Sequence, residues 1–302
     1  MFQHLVSTLT RSTQSIRCIA SCVVVLILAC TLSGCKWRLL DSQQRVDSAQ
    51  ELARTADLRW SLRKAGIFKI ATATRRANHS GPIHVYIEGD GHAWASRSRL
   101  SADPTPRRAT ALELAVKDTH PSVVYIARPC QYLSAVDLDQ CAPRYWSSHR
   151  FSEEVLAAIN TMLDEIAGPA EREPRARLTL IGYSGGGTLA ALLTAKRNDV
   201  DWLITIAANL DHQSWTTFHD VSPLLGSLSL EPQLRQLAAV RQCHLFGQRD
   251  TVVPPHLAQP ILSRLVEMAG PDRVNWSTVE NFDHGCCWAQ IWPNALRECM
   301  TD

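Results

Sequence analysis

The stretch Leu180–Leu193 reads LIGYSGGGTLAALL. An apolar, β-rich run, Arg177–Tyr183, leads into Ser184, and a helix-forming run, Gly187–Arg197, leads away from it. Glycines at 182, 185 and 186 remove side chains where a strand turning sharply into a helix would crowd itself. The five residues Gly182–Gly186 match the pattern G-x-S-x-G. In that pattern a strained turn holds the serine hydroxyl up and exposed, and the helix N-terminus beneath it favours developing negative charge. Two readings stay open on the motif alone: an activated nucleophile, or a structural serine in a glycine-rich bend. A serine hydroxyl is a weak nucleophile without a base, so the rest of the chain decides.

Downstream, HLFGQRDTVVPP places Asp250 just past a strand-like run, and VENFDHGCCW places His284 just past the last such run. Loop tips at strand ends are where sheets of this kind meet their ligands. The chain order Ser184, Asp250, His284, with the G-x-x-D-x-x-V-P pattern from Gly247 to Pro254, resembles the α/β hydrolase superfamily over about residues 66–295. The resemblance implies a catalytic Ser184, Asp250 and His284. It also implies an oxyanion site built from the Gly185 N–H and one amide of the loop Glu88-Gly89-Asp90-Gly91, by position that of Asp90. Glu88 stands where the family carries a histidine, and acidic side chains at an oxyanion site oppose charge development unless they point away or pair with a cation. Asp211, after the preceding strand, is the rival acid. Asp283 adjoins His284 too closely in sequence to orient its ring, and His92 and His212 are rival bases off the last strand.

The segments YIEGDGHAW, DPTP, ARPCQY, YWSSHRFSEEV, GYSGGG, NLDHQSW and RDTVVPP together resemble a group of proteobacterial α/β hydrolase-fold proteins, lipoproteins among them. By that resemblance Arg128, Tyr132, Arg144, Trp146 and Tyr183 are candidate substrate contacts. The alternative is that the loop residues brace a disulfide loop. The function implied is hydrolysis of ester-type acyl bonds through an acyl-enzyme, with a small acyl substrate and no metal or organic cofactor. Rival functions are a non-catalytic envelope binding module, and a peptidase or acyltransferase with the same three residues.

Around the Ser184 turn, strand-like runs (Ile67–Thr74, Ile83–Gly89, Ser122–Arg128, Trp202–Asn209, Gln242–Gln248, Arg273–Glu280) alternate with helical stretches at Thr110–Thr119, Ser152–Ala167 and Pro254–Ala269. Ser152 is the expected N-cap of the second. This alternation predicts an α/β fold, a doubly wound and mostly parallel sheet. The long stretch Asp211–Leu237 is expected to form a small cap. Residues 36–62 are charged and helix-forming, so 35–65 are expected to be a tether or surface helix, with the hydrolase domain over 66–302.

The chain's 302 residues, 45% hydrophobic and 20% charged, suit one large globular domain. Arg11 and Arg17 are the only charges in residues 1–34; without that segment 29 basic residues face 29 acidic ones. This balance gives no reason to expect nucleic acid. Residues 1–34 have the basic start, apolar core and small-residue end of an export signal, and Leu32-Ser33-Gly34-Cys35 resembles a bacterial lipobox. Cys35 is then the lipidated first mature residue and the domain faces the periplasm; the alternative is an uncleaved membrane anchor. Lys36 after the cysteine favours the outer membrane. Six cysteines remain beyond Cys35, an even number in an exported chain, with Cys130–Cys141 the expected pair. A metal site on His284, Cys286 and Cys287 is disfavoured, because adjacent cysteines chelate one ion poorly.

Overall fold

The computed structural model describes residues 41–76, 81–168 and 175–301. The expected export signal and Cys35 lie outside the described residues. No helix among the described residues is long and apolar enough to cross a membrane. The chain divides into two units, Met1–Gln44 and Arg45–Asp302; of the first, 41–44 are described, and they are helical.

The strands are β1 (Arg59–Ala65), β2 (Phe68–Arg75), β3 (Ile83–Ile87), β4 (Trp94–Ser96), β5 (Arg99–Leu100), β6 (Val123–Ile126), β7 (Leu178–Tyr183), β8 (Val200–Ile206), β9 (Arg241–Gly247) and β10 (Val274–Val279). Eight of them form one sheet in the order β1-β2-β6-β3-β7-β8-β9-β10, and β4 and β5 make a separate hairpin. From β6 to β10 every pairing is parallel, while β1–β2 and β2–β6 are antiparallel. This is the expected doubly wound sheet. The central strands β3, β6 and β7 are buried along their whole length, as parallel strands covered on both faces must be.

Period-2 alternation sends successive side chains to opposite faces. Val85 and Ile87 enter a core with the helices Glu153–Ala167, Gly185–Lys196 and Gln259–Ala269. Tyr86, Tyr125 and Ile181 enter a second core with the helix Thr110–Lys117 and the C-terminal helices. Ser152 caps its helix as expected, its Oγ accepting from the Val155 N–H at 3.4 Å. Three cysteine pairs lie at bonding distance: Cys130–Cys141, Cys243–Cys299 and Cys286–Cys287.

Two expectations about organisation change. The fold begins before residue 66: β1 pairs with β2 from Arg59↔Thr74 to Ala65↔Phe68, and Ala49 and Ala53, in the helical residues 45–54, are buried in the second core. Charged residues hide this, because β1 lies at a sheet edge and shows most of its side chains to solvent. Asp211–Leu237 is a wall and not a cap. Trp215 alone from this stretch lines the cleft, whereas Leu224, Leu230, Leu234 and Leu237 are drawn into the first core.

Candidate active site

β7 ends at Tyr183, and Ser184 turns the chain into the helix Gly185–Lys196 with φ 52° and ψ −125°. A non-glycine residue held there costs on the order of 1–3 kcal/mol, a strain that persists only where the surroundings fix it. They do so by contact. A Cβ on Gly186 would lie 2.2 Å from the Ile87 carbonyl oxygen and 2.4 Å from that of Glu88. The turn therefore packs directly on the end of β3, and the Ser184 N–H is fixed at 2.8 Å from the Ile206 carbonyl of β8.

His284 Nε2 lies 3.0 Å from Ser184 Oγ, and its Nδ1 lies 2.8 Å from Asp250 Oδ2. The Asp250 carboxylate only accepts, so Nδ1 carries the proton and Nε2 faces the serine hydroxyl as an acceptor. Asp250 is itself fixed: its Oδ1 accepts from the Val252 and Val253 N–H groups at 2.8 and 2.7 Å, and its side chain is fully buried. The His284 carbonyl accepts from Tyr183 Oη at 2.8 Å and Trp288 Nε1 at 3.0 Å. Three loops, after β7, β9 and β10, thus converge at the carboxyl edge of the sheet.

The rival residues are occupied elsewhere. Asp211 caps the helix His212–Phe218, its Oδ1 accepting from the Gln213 and Ser214 N–H groups. Asp283 accepts from the Gly285 and Cys286 N–H groups. His212 is buried against Phe151 and bonded to the Leu228 carbonyl, and burial holds its pKa below the ordinary value. His92 lies on the cleft rim, where Arg107 donates to it.

The cleft holds about 420 Å³, within the ordinary range for a small-ligand site. Ala93, Trp94, Pro106, Trp215 and Val253 supply apolar wall, and Ser184, His284 and Tyr183 lie at its base. The loop after β3 also lines it. Among the described residues, neither the Asp90 N–H nor the Gly185 N–H donates to a protein acceptor. The two residues are adjacent, since a Cβ on Gly185 would lie 2.1 Å from Asp90 Oδ1. Two buried-edge amides without acceptors beside a serine hydroxyl suit a developing oxyanion.

The acidic side chains of this loop are accounted for. Asp90 pairs with Arg128 and Arg150, at 2.7 Å each. Burial works against its charge, but the two guanidiniums outweigh it and keep its pKa low. Glu88 turns inward beneath the loop, accepting from the Gly89 N–H at 2.9 Å, the Ala111 N–H at 3.3 Å and Tyr125 Oη at 3.2 Å. Burial pushes its carboxyl up to about 7. The fold therefore favours the protonated acid. That preference is intact below the ordinary carboxylate pKa of 4.5 and is lost as pH rises through 7. Glu88→Gln is expected to stabilise the protein by on the order of 3 kcal/mol at pH 8 and by little at pH 4.5. Thermal melts of both proteins at the two pH values check this; an equal shift at both would place the effect in packing.

Two expected substrate contacts are corrected. Arg128, 4% exposed, is held by Asp90 and the Arg150 carbonyl, and Trp146, 5% exposed, donates to the Ser101 carbonyl from within the first core. Neither reaches the cleft, because the loop carrying them folds inward around the Cys130–Cys141 pair. Tyr183 does line it. Arg150, which does too, is not evident from sequence; it stands out only once Asp90 shows the need for a counter-charge. No group of three or more His, Cys, Asp or Glu that could hold a metal occurs among the described residues.

No family model matches the sequence, and no curated protein matches it. Solved structures do. A membrane phospholipase A described as a bacterial virulence factor aligns over 93% of this chain and 99% of its own, at 16% identity and a TM-score of 0.52. Est1E from Butyrivibrio proteoclasticus aligns over 80% of this chain and 97% of its own, at 12% identity and a TM-score of 0.54. An α/β serine hydrolase without lid from Xanthomonas campestris aligns over 80% and 94%, at 14% identity and a TM-score of 0.50. This chain has the α/β hydrolase fold. At such identities the likeness speaks for the fold, and chemistry has to be argued from the side chains.

Proposed function

We propose that this α/β hydrolase-fold chain is a serine hydrolase that cleaves ester-type acyl bonds through an acyl-enzyme. The observation that carries the reading is the continuous hydrogen-bonded chain Ser184–His284–Asp250 at 3.0 and 2.8 Å, set at the base of an apolar cleft. His284 Nε2 takes the Ser184 proton as Oγ attacks the acyl carbonyl. Asp250 holds the imidazole tautomer and stabilises its cation. The Gly185 and Asp90 N–H groups receive the oxyanion. The intermediate collapses, and the leaving alcohol takes the proton from His284. Water then attacks the acyl-enzyme while His284 removes its proton, and the acid departs as Ser184 regains its hydrogen.

The mostly apolar walls favour an acyl chain, and a carboxylic ester is the substrate class proposed. The motif resemblance supports placing the chain among envelope lipoproteins. Cys35 is then the lipid anchor, and the domain faces the periplasm, with the outer membrane preferred on Lys36.

Incubation of the purified chain with a fluorophosphonate, followed by peptide mapping, tests the chemistry. Stoichiometric modification of Ser184 is expected, and none in the Ser184→Ala protein. A folded chain that resists the reagent would reject the mechanism and favour a binding module.

A further inference from the structure

Arg128 and Arg150 are both buried, with side chains 4% and 6% exposed. They share a single carboxylate, that of Asp90. Their remaining partners are neutral: Arg128 donates to the Arg150 carbonyl, Arg150 Nε donates to the Ser147 carbonyl at 2.9 Å, and the guanidiniums lie over the rings of Phe151 and Trp215. The cluster thus carries one positive charge more than it balances. Arginine does not shed that charge, and burying an unbalanced ion costs several kcal/mol. A purely structural clamp could use one arginine.

The surplus lies at a particular place. The Asp90 carboxylate packs on the Cα of Gly185, whose N–H and that of Asp90 form the proposed oxyanion site. Arg150 itself lines the cleft. The neighbouring carboxyl, Glu88, is turned beneath the loop and bonded to the Gly89 and Ala111 N–H groups and Tyr125 Oη, not to either arginine. Burial raises it to about 7, so its charge offsets the surplus only as pH rises through that value. We propose that the Arg128–Asp90–Arg150 cluster is a positioning device for the oxyanion site. It fixes the Asp90 amide through the Asp90 side chain, and it keeps one positive charge unbalanced until the oxyanion forms. Charge arranged in advance and satisfied only in the transition state raises kcat and leaves substrate affinity unchanged. The inference rests on the serine-hydrolase reading above.

The test compares Arg150→Gln, which leaves a neutral Asp90–Arg128 pair, with Arg150→Lys, which keeps the charge. Rates are expressed per active site titrated with the fluorophosphonate, so loss of folded protein does not enter. Arg150→Gln is expected to lower kcat about 10- to 100-fold with KM within threefold, and to weaken an alkyl boronic acid, which binds as a tetrahedral anion, by the same factor. The lysine variant is expected to recover most of both. Should Arg150→Gln not fold, Arg150→His gives the same information, because its charge fades as pH rises past about 6.5. Its kcat relative to wild type is then expected to fall between pH 6 and 8. A kcat per site within threefold of wild type in Arg150→Gln, or a flat ratio in Arg150→His, would leave the cluster a structural clamp and overturn the proposal. Failure of the wild-type protein to label at Ser184 is a separate outcome that removes the hydrolase reading and this inference with it.

Discussion

Ser184→Ala and His284→Ala are each expected to lower kcat by about 10⁶-fold, and the double variant is expected to lose little more. The non-additivity follows from the contact between them. Without His284 Nε2 at 3.0 Å, Ser184 keeps its proton and is a poor nucleophile. Without Ser184, the base has nothing to activate in the acylation step. Asp250→Asn is expected to cost less, about 10⁴-fold, with KM nearly unchanged. Its amide would fit the same space and could still accept from the Val252 and Val253 N–H groups through its oxygen. That leaves its NH₂ facing His284 Nδ1, which selects the wrong imidazole tautomer. Single-turnover rates with an activated ester, on proteins whose melting curves match wild type, measure all three. An Asp250→Asn enzyme within tenfold of wild type would mean that His284 is oriented by its own backbone contacts to Tyr183 and Trp288 and that Asp250 is dispensable.

The parts of this site that sequence reveals share one property: each sits just past a strand-like run in the strand–helix alternation, within a recognisable motif. Ser184 follows β7, which is buried along its length and reads as a plain hydrophobic run, as a parallel strand covered on both faces does. Asp250 and His284 follow the more mixed runs of β9 and β10, and chain order and the G-x-x-D-x-x-V-P pattern mark them. The sheet order then brings the three loop tips together with no further information needed. β1 escapes the same reading because its charged, mostly exposed residues blend into the charged helix-forming stretch before it and no motif follows it. The Asp90 cluster escapes it for another reason. Its arginines lie 38 and 60 residues from the carboxylate, and nothing local marks which of many arginines will be drawn in. Arg128, a charged residue on a loop near the site, reads as a substrate contact until its burial is seen. Glu88 is the converse case: an acid in a loop reads as exposed, yet the N–H groups at the start of the helix Thr110–Lys117 give it a buried partner.

Gly186→Ala is expected to destabilise the protein by about 3 kcal/mol and to lower kcat per titrated site by about 100-fold. The added Cβ meets backbone only: the Ile87 carbonyl oxygen at 2.2 Å, the Glu88 carbonyl oxygen at 2.4 Å and the Glu88 carbonyl carbon at 2.8 Å. A side chain in the way could rotate, but the end of β3 cannot, since the Glu88 N–H is bonded to the Ile126 carbonyl of β6 and the strand pairs on both sides. The turn must therefore move away from β3, carrying Ser184 from His284 and the Gly185 N–H from that of Asp90. A shift of about 1 Å is enough to cost two orders of magnitude in rate. Gly285→Ala supplies the contrast. It adjoins His284 in sequence, but its Cβ would meet nothing within 4 Å and its φ lies outside the left-handed range, so stability within about 0.5 kcal/mol of wild type is expected. Denaturant unfolding and active-site titration of the two variants separate the effects. If Gly186→Ala keeps full activity per titrated site while losing stability, the turn is able to move without disturbing the serine. The close packing of the turn against β3 would then serve folding alone and not the placement of the nucleophile.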